Sequence, residues 1–361
     1  MSEDASVEVP APKKTNRKTQ VISGLVTLVT LVVIFAFLFP KFGDYAQAWA
    51  YVQKMPAWSL VLLAFAVVLN ILVYVWPFIA ALPGIRFGPA FVVRQTSFMI
   101  SNTIPAGGAF GLAVQYGMLG SYGIRSGPTT SAIAINSLWN ILATLALPMV
   151  GALALLVSGD LTTHAVVVGL LSLLVIAVSG VLLWVVVRSE NGARKVGELL
   201  DQVASWGLHV IHRPRQLDLT AQVLDLRHHV EGVVRTRWLV LSISNLAMQL
   251  TSWFVLFVAL RGIQSESGPP YVTWSESLAA FASARLATFI PVTPGGLGTV
   301  DAALTTLLVS FGATNNQALA ADLVWRAGTF IPQVVLGVLT FLWWRVTSKR
   351  RKARLAAEPA G

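Results

Sequence analysis

Residues 289–304 read FIPVTPGGLGTVDAAL, a cluster of prolines and glycines set into an otherwise apolar part of the chain. Proline removes a backbone hydrogen-bond donor and glycine weakens a helix, so we expect no helix to run through this cluster. Inside a membrane, irregular backbone is tolerated only where it is buried in protein or lines a cavity. If the surrounding chain lies in a membrane, the cluster predicts a re-entrant helical hairpin over residues 275–312.

The composition places the surrounding chain in a membrane. Of its 361 residues 55% are hydrophobic and 12% charged, against about 25% charged in soluble domains. A helix needs roughly 20 apolar residues to cross the hydrocarbon core. We predict an all-α polytopic membrane protein with six full spans. Five are uncharged runs and the sixth ends near residue 346; the runs are Val21–Phe39, Trp58–Leu82, Thr129–Val157, His164–Val187 and Trp238–Leu260.

The basic residues predict the orientation of these spans. They are concentrated before residue 20, between residues 188 and 237 and after residue 346, and cytoplasmic segments carry such an excess. Both termini are therefore expected in the cytoplasm, as in a multi-pass protein of the cell membrane. The predicted organisation is a disordered cytoplasmic tail (1–20), a first membrane half (21–187), a cytoplasmic amphipathic helical segment (188–237), a second membrane half (238–346) and a basic cytoplasmic tail (347–361).

A second broken stretch lies in the first half. Residues 90–120 are interrupted by Pro-Ala-Gly-Gly at 105–108, which predicts another re-entrant hairpin. Ser121-Tyr122-Gly123 follows this break and Ser310-Phe311-Gly312 follows the other at a similar spacing. The basic residues place the two hairpins on opposite sides of the membrane, which predicts an inverted-topology repeat. Such repeats place a substrate near the midplane, beside paired Gly/Pro-interrupted segments, whereas the alternative is that the breaks are packing kinks.

Four charged residues lie at predicted membrane depth: Arg285, Asp301, Asp322 and Arg326. A charge near the bilayer centre costs roughly 2.5–3.5 kcal/mol on insertion scales, so it faces a cavity, a partner or a substrate. Asp322 and Arg326 are four residues apart and share a helix face, so one alternative is that they pair with each other. Asp301 follows the glycines closely, and its alternative role is to cap the next half-helix.

Arg94 and Arg285 open the two hairpins at comparable distances before the breaks. Guanidinium groups bind phosphate in a bidentate manner, and a helix N-terminus beside a glycine-rich turn also favours an anion. The pattern is typical of a site for a phosphate head group, and snorkelling of the arginines to the interface is the alternative. Asn102 and Asn140 add polar groups that either contact substrate or form interhelical hydrogen bonds.

Other chemistries find little support. The sequence contains no P-loop pattern and no cysteine, and its five histidines lack metal-ligand spacing. We therefore predict no cofactor and no metal. The net charge of +10 is distributed beside the apolar runs rather than along a face for nucleic acid, so no nucleic-acid partner is expected.

The motif in residues 291–304 resembles the hallmark of the lysylphosphatidylglycerol synthase transmembrane family, whose pattern is approximately P-x-P-G-G-L-G-x-x-E. Residues 320–326 and the Asn102–Pro105 element are also similar to that family. This chain has Asp301 where the family usually has Glu, and its first break lacks the family's acidic residue. No soluble aminoacyl-transferase domain is expected after residue 346. The resemblance thus implies the lipid-translocating part without the aminoacyl transfer.

Three functions remain open from sequence. The favoured hypothesis is a lipid transporter or flippase for an anionic phospholipid or a polyprenyl-phosphate carrier. The others are a membrane-embedded transferase with a lipid-linked donor and an accessory subunit of a cell-envelope complex. An enzyme is the less favoured choice, because no second carboxylate occupies a matched position. The candidate substrate-binding residues are Arg94, Asn102, Pro105, Gly107, Gly108, Asn140, Arg285, Pro294, Gly295, Gly296, Gly298, Asp301 and Arg326.

Overall fold

A computed structural model describes residues 45–103, 107–159, 163–210, 219–265, 271–290 and 296–357. These residues form helices and no strand. The helices are α1 (Tyr45–Gln53), α2 (Ala57–Val73), α3 (Trp76–Ala81), α4 (Phe87–Thr103), α5 (Gly107–Ser121), α6 (Ser126–Ser158), α7 (Thr163–Arg188), α8 (Glu190–Val210), α9 (Leu219–Gln264), α10 (Trp274–Ala284), a 3₁₀ turn (Arg285–Phe289), α11 (Thr299–Ser310) and α12 (Asn315–Ala357).

Four segments of the described chain are long and apolar enough to cross a membrane. They coincide with four of the predicted spans: Ala57–Ala81, Ser126–Ser158, Gly232–Gln264 and Asn315–Ser348. The predicted run at 164–187 forms a continuous helix, α7, and the run at 21–39 lies outside the described residues. The chain is therefore a multi-pass, all-helical membrane protein, and the total of six spans stays a prediction.

Each broken stretch forms two short helices. The first hairpin consists of α4 and α5, and the second consists of α10, the 3₁₀ turn and α11. In the first hairpin, α5 packs closely on the end of α4 because Gly107 has no side chain; a Cβ there would lie 2.6 Å from the Ser101 carbonyl oxygen. That the hairpins enter the membrane from opposite sides stays a prediction.

Both hairpins end in the same turn. Gly123 and Gly312 have φ values of 81° and 102°, in the left-handed region that favours glycine. In each turn the next residue donates a hydrogen bond five residues back, from Ile124 to Leu119 and from Ala313 to Leu308, each at 3.1 Å. This is the Schellman arrangement. The Ser-aromatic-Gly triplets thus have a common structural role.

The hairpin of each half packs against a long span of the other half. Helix α10 of the second half packs on α6 of the first, and α4 of the first half packs on α12 of the second. A glycine lies at each crossing: a Cβ at Gly151 would be 2.8 Å from Ala279 Cα, and one at Gly337 would be 2.6 Å from the Gln95 carbonyl oxygen. Small residues let membrane helices approach closely.

Helix α9 joins the two halves. Trp139 of α6 donates its indole N–H to Ser242, and Trp325 of α12 donates its own to Ser252, at 3.0 and 3.2 Å. Both serines belong to α9, which begins at Leu219 within the predicted cytoplasmic segment and continues without a break into its membrane span. The region between the halves is thereby fixed by α9, and the candidate site lies there.

Candidate functional site

Asp301 is positioned by the glycine-rich turn before α11. Gly298 has a φ of 88°, which lets the chain enter the helix abruptly. The backbone N–H of Gly298 donates to Oδ2 of Asp301, so the carboxylate caps the helix that contains it. The capping role considered from sequence is therefore present, and Asp301 is 1% exposed.

Asp301 also forms an ion pair. Its Oδ1 accepts a hydrogen bond from Nε of Arg326, which forms a buried ion pair between α11 and α12. Nη2 of Arg326 also lies 3.4 Å from the Gly296 carbonyl oxygen. The alternative in which Arg326 pairs with Asp322 is wrong. The arginine instead ties the last span to the glycine-rich turn.

A cavity of about 210 Å³ lies beside this ion pair. Its wall is formed by α2, α4, α9, the 3₁₀ turn, the glycine-rich turn and α12, so both halves contribute to it. Three residues chosen from sequence meet there, Asn102, Arg285 and Arg326, together with Leu297 of the glycine-rich turn. The remaining lining residues are Asn70, Tyr74, Phe98, Met248, Gln249, Ser252, Thr288, Trp325, Thr329, Phe330 and Gln333.

Several polar atoms around the cavity are buried without a hydrogen-bond partner in the described chain. They are Nε of Arg285, Oγ1 of Thr288 and Oε1 of Gln333. Leaving such a group unsatisfied costs about 1–3 kcal/mol, and more for a charged group. Arg285 and Arg326 also repel each other electrostatically. An anion bound between them would relieve this repulsion and would accept hydrogen bonds from the Arg285 Nε–H and the Thr288 hydroxyl.

Arg94 lies outside the cavity lining. Its guanidinium carbon is 4.4 Å from the centre of the Tyr74 ring and 5.7 Å from that of Phe78. Cation–π contacts of this kind stabilise a charge at the edge of an apolar region. Because Tyr74 lines the cavity, Arg94 supports its wall and is not brought together with Arg285.

The other residues chosen from sequence lie near the cavity but do not line it. The carbonyl of Asn140 accepts from Thr144, whose hydroxyl accepts from the cavity residue Gln249 at 3.2 Å. Gly107 is used for close packing of α5 on α4, and Gly108 has open space beside it. Gly296 and Gly298 shape the turn that holds Asp301. Pro105, Pro294 and Gly295 fall outside the described residues.

Sequence reasoning missed part of the cavity wall. Asn70 and Tyr74 come from α2 and the turn that follows it, and Gln249 and Ser252 come from α9. The amide of Asn70 donates to Thr251 of α9 at 3.1 Å. A lone amide in the apolar run 58–82 was the available signal, but no spacing connected it with the glycine-rich motifs.

The family comparison agrees with this architecture. The family model described as the lysylphosphatidylglycerol synthase TM region matches residues 20–337. No curated protein matches the chain significantly. The family points to a lipid-related function in the membrane. Because the match covers most of the sequence, this chain belongs to the family of the lysylphosphatidylglycerol synthase transmembrane region.

Proposed function

We propose that this protein translocates a lipid with a phosphate-bearing head group, either an anionic phospholipid or a polyprenyl-phosphate carrier. The observation that carries the proposal is the cavity between the halves, where Arg285 has an unused buried donor and Arg326 lies beside it. Guanidinium groups suit phosphate because their planar donors match its oxygens. Asn102 of the first half and Gln333 of the second half add amide groups to the cavity wall.

The size of the cavity defines which part of the lipid enters. A volume of about 210 Å³ is below the roughly 300–1,000 Å³ of pockets that enclose drug-sized ligands. The cavity therefore suits a head group, while the acyl or prenyl chain stays in the bilayer. Phe98, Phe330 and Leu297 provide apolar contacts for the first carbons of that chain.

The exchanged helix contacts support an alternating movement of the two hairpins. Each hairpin packs on a span of the other half through a glycine, at Gly151 and Gly337. In transporters with inverted repeats, one repeat rocks against the other around a fixed midplane site. We infer that the head group is exposed first to one leaflet and then to the other as the hairpins move.

The transferase alternative receives less support from the site. A general base must lie within hydrogen-bond reach of the proton that it removes from the acceptor. Asp301 is 1% exposed, and its carboxylate faces the Gly298 N–H and Arg326. Arg326 is the member of this pair that lines the cavity, and Asp301 is not.

The test uses the purified full chain in liposomes that contain a fluorescent, chain-labelled phosphatidylglycerol. A membrane-impermeant reductant that bleaches the outer leaflet reports movement between leaflets, and mass spectrometry of the extracted lipid reports any new product. Accelerated bleaching of the unchanged lipid supports translocation, with labelled phosphatidylcholine as the comparison. A new product supports a transferase. If the lipid neither moves nor changes chemically, the accessory-subunit alternative is supported. Polyprenyl phosphate is then tested in the same way.

A further inference from the structure

Asp322 is a buried carboxyl that the proposed function leaves unused. It lies on α12 one helical turn before Arg326 and is 0% exposed. Neither of its oxygens has a hydrogen-bond partner among the described residues. Burying an ionised carboxylate without donors costs several kcal/mol, and the neutral acid avoids this cost.

The neighbours of Asp322 connect it with the cavity. It interacts electrostatically with Asp301 and with Arg326. Asp301 already accepts from Gly298 and Arg326, so a negative charge on Asp322 would face a second carboxylate. A proton on Asp322 removes that repulsion and allows a hydrogen bond between the two carboxyl groups.

The helices around α12 bring few other charges. Helices α1 and α2 contain no charged residue, and Asp301 is the one charged residue of α11. The charged residues of α4 and of the membrane part of α9 (Gly232–Gln264) are basic: Arg94, Arg235, Arg237 and Arg261. Two of them lie over aromatic rings, Arg94 over Tyr74 and Arg261 over Tyr271. The part of α9 before its membrane span also contains Asp225, Arg227, His228, His229 and Glu231.

The charge balance at the site depends on this proton. Arg285 and Arg326 contribute two positive charges, and Asp301 contributes one negative charge. With a proton on Asp322 the four residues together carry one net positive charge, which matches a monoanionic phosphodiester. Without the proton their net charge is zero, and an anion in the cavity gains no compensating charge.

We propose that Asp322 is a proton-binding site coupled to anion binding in the cavity, so that a proton and a lipid with a monoanionic phosphate bind together. This inference rests on the proposed translocation of such lipids and adds a source of energy to it, the transmembrane proton gradient. Linkage is reciprocal: the proton raises the affinity for the anion, and the anion raises the affinity for the proton.

Protonation of Asp322 determines how lipid affinity and transport depend on pH. The proton is bound at low pH and released as the pH rises, so lipid affinity and transport fall as the pH rises. For one coupled proton the decline is at most about tenfold per pH unit. Asp322→Asn holds the position neutral at every pH, so this variant keeps the activity of the protonated protein and loses the decline.

Transport is measured in phosphatidylglycerol-containing liposomes with equal pH on both sides, over a series of pH values. The wild type, Asp322→Asn, Asp322→Ser and the control Glu190→Gln, an exposed carboxylate at the start of α8, are compared. We expect flat profiles for both Asp322 variants and a wild-type profile for the control. A wild-type pH profile in Asp322→Asn or in Asp322→Ser overturns the proposal.

Binding and spectroscopy separate this proposal from the proposed function. Calorimetry with short-chain phosphatidylglycerol, in buffers of different ionisation heat, is expected to show about one proton taken up per lipid by the wild type and none by Asp322→Asn. Equal proton uptake by both overturns the coupling. If no lipid binds or moves at any pH, the proposed function fails. The proton site is then decided by infrared difference spectra, where a pH-dependent carboxylic acid band that persists in Asp322→Asn contradicts it.

Discussion

The two hairpins have similar backbones and different chemistry. Both consist of two short helices around a Gly/Pro break, both end in the same left-handed glycine turn, and both pack on a span of the opposite half. The second hairpin contains the capped carboxylate Asp301 and its partner Arg326, whereas Trp139 in the first half is followed by the uncharged Asn140. The comparison teaches that two hairpins can share turns and packing while both charged residues of the cavity lining, Arg285 and Arg326, come from the second half.

The largest expected effect tests whether the halves are inverted. Ser126 and Asn315 occupy equivalent positions just after the two glycine turns, and both are exposed. Because the chain has no cysteine, single Cys variants give clean labelling with an impermeant maleimide in intact cells. We expect Asn315→Cys to label from outside and Ser126→Cys to label only after permeabilisation. Labelling of both from one side rules out an inverted repeat.

The next effect concerns the ion pair. Arg326→Ala leaves Asp301 buried without its partner, which costs about 3–5 kcal/mol, and it removes a cavity charge. We expect translocation to be abolished in Arg326→Ala and in Asp301→Asn. Asn140→Ala, the matched change in the first half, is expected to leave translocation largely intact, because Asn140 is not among the residues that line the cavity. Equal losses in the two halves would mean that the charged half has no special role.

A cleaner functional test compares the arginines that open the hairpins. Arg285 has an unpartnered Nε at the cavity, so Arg285→Ala removes a ligand contact without breaking a protein hydrogen bond at that atom. We expect a loss of about 10- to 100-fold in translocation, the equivalent of one charge-assisted hydrogen bond of about 1.5–3 kcal/mol. Arg94→Ala removes a cation–π contact of about 0.5–2 kcal/mol, so its effect should be seen in thermal stability. The reverse pattern would place the head group at Arg94.

The smallest effect tests the shared packing. Gly151→Leu and Gly337→Leu each insert a side chain where a Cβ already meets the facing helix. Overpacking of this kind costs about 1–3 kcal/mol. We expect similar losses of thermal stability in detergent for both variants, with Gly180→Leu as a control, because nothing lies within 4 Å of a Cβ at that position. A loss confined to one of the two would show that the crossings are not equivalent.

Much of the architecture could be predicted from local patterns. Uncharged runs predicted three of the four spans that the structure describes, and the fourth is the last span, which contains Asp322 and Arg326. The Pro/Gly clusters predicted where the helices at 90–120 and 275–312 are interrupted. The Ser-aromatic-Gly triplets predicted a correspondence between the hairpins, and their turns have the same hydrogen bonds. These features were accessible because apolar length and backbone-breaking residues act within a few turns of chain.

Local sequence patterns are therefore sufficient for the membrane class, the positions of the breaks and a short set of charged candidates. The packing of the helices selects Asp301, 25 residues away, as the partner of Arg326, rather than Asp322 one turn before it. The same packing brings Asn70 and Gln249 into the cavity wall. Helical spacing shows which residues share a face, but the partner of a buried charge is selected by the neighbouring helix that packs against that face.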